Sequence, residues 1–149
     1  MRIVIDSDCN GSDLKQALVT HLQDSGHEVV DLDFNGSHPE CHYPDVALNL
    51  ARKIQSGEFA KGVLICGTGL GMAITANKVP GVYAGACSDI YSAERLAKSN
   101  NAQIIALGAQ VTGIESAKLL VQTFVSSEFG GGRSLPKYTR IQQIEKEVA

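Results

Sequence analysis

The chain has no tryptophan, and aromatic residues make up only 5% of its 149 positions, which argues against an aromatic-lined recognition surface. Positive charge is not in excess either. Thirteen basic against 16 acidic side chains leave a formal net charge of -3, so the electrostatic footprint of a nucleic-acid or anionic-membrane binder is missing. No apolar run approaches the roughly 20 residues needed to cross a bilayer. The start, Met1-Arg2-Ile3-Val4-Ile5-Asp6, reads as a strand and not a secretory leader, because no long apolar segment follows it. The four cysteines, Cys9, Cys41, Cys66 and Cys87, contain no C-x-x-C pair, which removes zinc-knuckle and thioredoxin motifs. Reduced thiols in a cytoplasmic protein are the expectation. Internal repeats, low-complexity tracts and composition breaks are absent, so residues 1–149 read as one domain, with Gly130-Gly131-Gly132 the only linker-like point.

What is present is a globular composition, 44% hydrophobic and 19% charged, with 15 glycines that point to tight turns and close helix–strand packing. Short β-branched runs alternate with longer amphipathic stretches. Strands are expected at Arg2 to Asp6, Glu28 to Asp33, Lys61 to Cys66, Val82 to Cys87 and Gln103 to Leu107. Leu14, Ala17, Leu18, His21 and Leu22 recur at helical spacing, with Ser12 as N-cap and Gly26 as the stop. Further helices are expected after Pro44, over Met72 to Lys78, Ser92 to Lys98 and Ile114 to Val125, and from Pro136 to Val148; Phe34 to Tyr43 reads as a polar loop. Repeated strand–helix alternation implies parallel pairing with right-handed crossovers, hence an α/β fold, a three-layer α/β/α sandwich with a five-stranded parallel sheet. The last helix carries Ile141, Ile144 and Val148 on one stripe that needs a surface, and a second copy of the chain would supply it.

In open parallel sheets ligands bind beyond the carboxyl ends of the strands. Among the loops there, Cys66-Gly67-Thr68-Gly69-Leu70-Gly71 carries the most information. Alternating glycines let successive N–H groups face inward and approach a ligand oxygen closely, and the following helix favours negative charge at its start. Helix N-termini also favour thiolate over thiol. A thiolate beside such a nest suits removal of a carbon-bound proton or attack on a carbonyl, although Cys66 reads equally well as a small buried residue closing a strand. The spacing G-x-G-x-G after the third strand differs from the dinucleotide fingerprint, which disfavours a nucleotide- or flavin-binding domain. Asp8 would orient a substrate hydroxyl or simply cap backbone groups. His38, Cys41 and His42 would bind metal or belong to a loop without a fourth ligand. Arg133 would clamp a phosphate or stay solvated, and Asn100-Asn101 would bind hydroxyls or turn the chain.

Taken together, the residues resemble the family of type B ribose-5-phosphate isomerases and galactose-6-phosphate isomerases. The resemblance rests on Ile65 to Gly71, Ala76 to Gly81, Tyr43-Pro44, Asn100-Asn101-Ala102, Leu107-Gly108, Val111-Thr112-Gly113 and Gly131-Gly132-Arg133, and runs nearly end to end. It implies a Rossmann-like fold, aldose–ketose isomerisation of phosphorylated sugars without a cofactor or metal, and a homodimer with active sites at the subunit interface, with a tetramer left open. It further implies that Cys66 is the base, that Thr68 assists proton transfer, and that amides around Gly67, Gly69 and Gly71 hold the enediolate. Asp8, Cys9, Tyr43, Ser99 and Asn100 would line the sugar; Arg133 and Lys137 would take the phosphate, Arg133 from the other subunit. The chain departs from the family at Cys9 and Ser99, where many members carry histidine, and at Lys137, where a second phosphate arginine is expected and Arg140 lies one turn on. The histidine replaced by Ser99 is associated with opening a furanose ring, so its absence, together with Tyr91 to Arg95 and Gly132-Arg133-Ser134, resembles members associated with erythrose or erythrulose 4-phosphate. The expected function is therefore isomerisation of a tetrose 4-phosphate or pentose phosphate. The alternatives are a ribose-5-phosphate isomerase proper and a non-catalytic sugar-phosphate-binding subunit.

Overall fold

The computed structural model describes residues 1–149. Five parallel strands, β1 (Arg2–Ser7), β2 (Glu28–Asp31), β3 (Lys61–Cys66), β4 (Ala84–Ala86) and β5 (Ile104–Gly108), form one sheet in the order β2-β1-β3-β5-β4. The helices are α1 (Ser12–Asp24), α2 (Phe34–Ser37), α3 (Tyr43–Gln55), α4 (Leu70–Ala76), α5 (Ile90–Lys98), α6 (Ile114–Ser126) and α7 (Leu135–Val148). The two-residue period of the strands sorts the core. Ile3, Ile5, Val63, Ile65, Ile105 and Leu107 meet α1, α5 and α6, while Val4, Leu64, Cys66, Ile104 and Ala106 meet α3 and α4. Because both faces are covered, β3 and β5 are apolar at nearly every position instead of alternating with polar residues. The expected three-layer architecture is therefore the one observed. No helix is long and apolar enough to cross a membrane.

The helix stop at Gly26 follows the backbone. Gly26 has φ +92°, its N–H bonds the Gln23 carbonyl, and the His27 N–H bonds the Leu22 carbonyl, the two hydrogen bonds of a Schellman closure. Ser12, by contrast, is not the N-cap of α1. The chain enters through a 3-10 turn, Cys9–Gly11, capped by Asp8, whose Oδ1 accepts from the Gly11 N–H at 3.2 Å. Gly11 is the residue before α1, and a Cβ there would lie 2.6 Å from Ile65. The close approach of this turn to β3, rather than a hydroxyl cap, fixes where the helix starts.

The segment read as a polar loop contains the single turn α2, and its anchor is a buried carboxylate. Asp6, fully covered at the end of β1, accepts from the Ser7 N–H at 2.8 Å and the Phe34 N–H at 3.1 Å. Lys15, on the inward face of α1, reaches Asp6 at 3.4 Å and Asp31 at 2.9 Å. Burial pushes the Asp6 carboxyl up, against the amides of Phe34 and Ser7 and the Lys15 charge. Burial alone would lower the Lys15 ammonium, and Asp31, Asp6 and Asp33 together hold it above the ordinary lysine value.

No residue of α7 is buried. One side touches the rest of the chain: Tyr138 meets Tyr83 edge-on at 5.8 Å, and Glu145 accepts from the Gly81 N–H at 3.1 Å and the Tyr83 hydroxyl at 3.3 Å. The stripe Ile141, Ile144 and Val148 is exposed. Burial, then the Glu145 carboxylate, pushes the Tyr83 phenol from 10.0 up to about 12. A raised folded-state value means that the protonated phenol's contribution is complete below pH 10 and is lost as pH rises toward 12. Phenolate absorbance should therefore show a late-titrating tyrosine that Tyr83→Phe removes, with α7 loosening over the same window. A single coincident titration of all four tyrosines would contradict this docking.

Candidate active site

At the centre of the sheet β1 and β3 lie side by side, and the chain leaves them toward opposite faces, β1 into α1 and β3 into α4. Such a divergence opens a crevice at the carboxyl ends of the two strands. The Asp8 N–H donates to the Ile65 carbonyl at 3.1 Å, which sets Asp8 against the tip of β3. Its Oδ1 caps the turn, as one reading of Asp8 expects, and Oδ2 remains without a protein partner.

The loop after β3 is clamped against β5. Gly69 adopts φ +82°, and a Cβ there would come within 2.9 Å of the Leu107 backbone. At Gly108 a Cβ would lie 2.7 Å from the Thr68 backbone. The Ala109 N–H donates to the Cys66 carbonyl at 2.8 Å and the Gln110 N–H to the Gly67 carbonyl at 3.0 Å. With these carbonyls engaged, the loop's amides are what remain. Gly69 N–H donates to the Cys66 sulfur at 3.1 Å and Leu70 N–H to the Thr68 hydroxyl at 3.2 Å. The amides of Gly67, Thr68, Gly71 and Met72 donate to no protein atom. Cys66 is buried, with 6% of the residue exposed.

Tyr43 begins α3, with Pro44 in the first turn, and its ring lies directly over Gly71, where no side chain would fit. It thereby joins the loop to a cavity of about 320 Å³ lined by Asp8, Cys9, Asn35, Cys41 and Tyr43. A second cleft of about 220 Å³ opens on the other side of the loop, between Thr68, Leu70, Cys87 and Val111. Burial, then Asp89, pushes the Cys87 thiol up to about 11, which leaves it protonated near neutrality. The loop before Tyr43, Ser88-Asp89 and Gly108 to Gly113 lie at strand carboxyl ends, where sequence reading places ligands, but neither Asn35 nor Cys87 was singled out. The signal for Asn35 was its place at the carboxyl end of β2, where Asp33 turns the chain at φ 44°.

Cys66, Thr68, Asp8, Cys9, Tyr43 and the three loop glycines are thus brought together. Ser99, Asn100, Arg133 and Lys137 are not. Helices α5 and α6 run from the carboxyl to the amino ends of the parallel strands, so the residues that follow them gather at the opposite end of the sheet, tied by the Gly130 N–H to the Lys98 carbonyl at 3.4 Å. There Ser99 Oγ accepts from Arg95 at 3.2 Å, and Arg140 is held by Glu147 at 2.8 Å. Arg133 and Lys137 make no ion pair. In the loop read as a possible metal site, His38 stacks on Phe34 at 4.1 Å and Cys41 donates to Asn35 at 2.8 Å. No group of three His, Cys, Asp or Glu side chains is arranged to hold a metal ion.

Residues 3–144 match the ribose/galactose isomerase family. The chain belongs to that family. It is 45% identical over 147 residues to a D-erythrulose-4-phosphate isomerase of Pectobacterium atrosepticum, covering 99% of this chain and 97% of that one. It is 41% identical to a ribose-5-P isomerase B of Listeria innocua, covering 99% of each. The solved ribose-5-phosphate isomerase B of Clostridium thermocellum superposes over the whole of both chains with a TM-score of 0.93 at 41% identity. The protein is an isomerase.

The contact between Tyr43 and Gly71 gives a test of the site's geometry. Gly71→Ala should displace the phenol and lower turnover by about 10–100-fold, since small misplacements at a reacting centre carry losses of that size. In a Tyr43→Ala background the same change should be nearly silent, because the obstruction is gone. Additive losses in steady-state kinetics would place the effect elsewhere.

Proposed function

We propose that this sugar-phosphate isomerase interconverts the aldose and ketose forms of a tetrose 4-phosphate through an enediolate. Cys66 acts as the base. Its thiolate removes the proton from the carbon next to the carbonyl, the C–H electron pair forms the C=C bond as the carbonyl π electrons move onto oxygen, and the thiol, its proton now open to exchange with solvent, delivers a proton to the neighbouring carbon. The open amides of Gly67, Thr68, Gly71 and Met72 supply donors for the enediolate oxygens. One preorganised donor of this kind is worth about 3 kcal/mol, and a placed base adds roughly 10²–10⁴-fold. Thr68 moves a proton between the two substrate oxygens, while Asp8, Cys9 and Tyr43 line the sugar. Since α4 has only seven residues, individual N–H groups rather than a long macrodipole carry the stabilisation.

The observation that supports a tetrose is Ser99. A hydroxyl held by Arg95 does not shuttle protons near neutral pH as imidazole does. In a tetrose 4-phosphate O4 is esterified, so the five-membered hemiacetal of ribose 5-phosphate does not close and no ring-opening group is required. The similarity to a D-erythrulose-4-phosphate isomerase supports the same choice. Cys66→Ala should abolish solvent-deuterium exchange into substrate while leaving ligand affinity nearly intact. Wild-type turnover should favour erythrose 4-phosphate over ribose 5-phosphate, and Ser99→His should improve the pentose selectively. Strong preference of the wild type for the pentose would retire the tetrose reading in favour of a ribose-5-phosphate isomerase proper.

The working unit is a homodimer. A phosphate dianion needs a cation, and Lys15, the one lysine or arginine lining the cavities around the loop, is already matched by Asp6, Asp31 and Asp33. Arg133 and Lys137 are exposed and unpaired at the far end of the sheet, so they reach Cys66 only from a second copy, with Lys137 rather than the engaged Arg140 as the second cation. Leu70 and Ile74 of α4, each 60% exposed, and the apolar stripe of α7 are the surfaces such a copy would cover. Co-refolding inactive Cys66→Ala with inactive Arg133→Ala should restore activity that neither has alone. Failure to complement, with both variants folded, would remove the shared site.

A further inference from the structure

The cavity beside Tyr43 contains a polar group that none of the roles above uses. Asn35 lines it together with Asp8 and Cys9. Its Oδ1 accepts a hydrogen bond from the Cys41 thiol at 2.8 Å, and its Nδ2 donates to no protein atom. With Oδ1 turned to the thiol, the NH2 end is the free one. Burial, then Asp45 and Glu40, pushes the Cys41 thiol up, which keeps it a donor near neutrality. The turn that carries Asn35 is itself pinned, because the Phe34 N–H is bonded to the buried Asp6 carboxylate at 3.1 Å.

We infer that Asn35 is a substrate-binding residue that donates to a sugar hydroxyl oxygen, with Cys41 as the positioning residue that sets its amide. Asp8 Oδ2 is an open acceptor in the same cavity, so acceptor and donor face the space from two elements, α2 and the turn after β1. That pair is complementary to a vicinal diol, one hydroxyl donating to Asp8 and its neighbour's oxygen accepting from Asn35. The role selects for a hydroxylated chain beside the enediolate end, because a deoxy analogue would leave the amide unpaired. It deepens the sugar-phosphate reading and rests on it.

The test uses D-erythronate 4-phosphate, a carboxylate stand-in for the enediolate whose binding needs no turnover. Calorimetry on the full-length protein should show Asn35→Ala binding it about tenfold more weakly, the loss of one hydrogen bond to a well-placed hydroxyl. In kinetics the same variant should raise KM with kcat nearly unchanged, the pattern of an interaction made equally in ground and transition states. Cys41→Ala should reproduce part of the loss and Cys41→Ser should recover it, since a hydroxyl donates to the same oxygen. Affinity of a folded Asn35→Ala within about twofold of wild type, judged against a hydrogen bond's ordinary worth, overturns the assignment while the isomerase reading stands. A wild type that does not bind the probe overturns both.

Discussion

Two hydrogen bonds, from the Ala109 and Gln110 amides to the Cys66 and Gly67 carbonyls, hold the end of β3 against the segment that follows β5. Backbone polar groups must be satisfied somewhere, and using the loop's carbonyls inward leaves its amides outward. The approach is possible only because Gly69 and Gly108 carry no side chain. A Cβ on Gly69 would strike the β5 backbone at 2.9 Å and one on Gly108 the loop backbone at Thr68 at 2.7 Å, and Gly69 also sits at φ +82°, where other residues are strained. The glycine pattern is thus a packing requirement first. Its chemical consequence, a row of unpartnered N–H groups next to a thiol, follows from the packing.

The same strand direction that builds this row sends Arg133 and Lys137 to the other end of the molecule. Every strand is parallel, so each helix that leaves the carboxyl end must return to the amino end. Ser99 and Asn100 close one such return, and Arg133 and Lys137 follow another. Cys66 and the open amides therefore occupy one end of the molecule and the unpaired cations the other. Exposed cations cost little while solvated, so a single copy has no reason to fold them inward. In the proposed homodimer two copies in opposed orientation would satisfy both ends, and the apolar side of α7, which finds no burial within its own chain, would be available at that junction.

Much of this was legible in the residues. The apolar run Lys61 to Cys66 followed by spaced glycines determines both a buried strand and a close backbone approach, and Gly26 marks a helix end through its positive φ. What was illegible depends on partners distant in sequence. Nothing around Lys15 announces that it is buried, because the carboxylates that keep it charged come from β1, β2 and the segment after β2. The turn at Phe34 looked like loop for the same reason, since its organising acceptor is Asp6, 28 residues earlier. Ser12 resembled an N-cap by type and spacing, yet the contact between Gly11 and Ile65 had already fixed the chain's path. Asn35 was overlooked because a single amide gains meaning only from the cavity it faces.

The replacement of imidazole by serine at position 99 is best understood through the form in which substrate arrives. An isomerase of this kind abstracts a proton next to a free carbonyl, and a furanose offers none until its hemiacetal opens, which requires moving a proton from the anomeric hydroxyl to the ring oxygen or its equivalent. Ser99, with its oxygen already engaged by Arg95, is a poor agent for that transfer, so a pentose would have to be captured in its sparse open-chain form. The affinity measured for such a substrate is reduced by the fraction that is competent, however good the contacts. A sugar phosphate that has no five-membered ring to open carries no such penalty. On the proposed reading the chain does without a ring-opening group while keeping Cys66, Thr68 and the donor row, the parts assigned to the enediolate step.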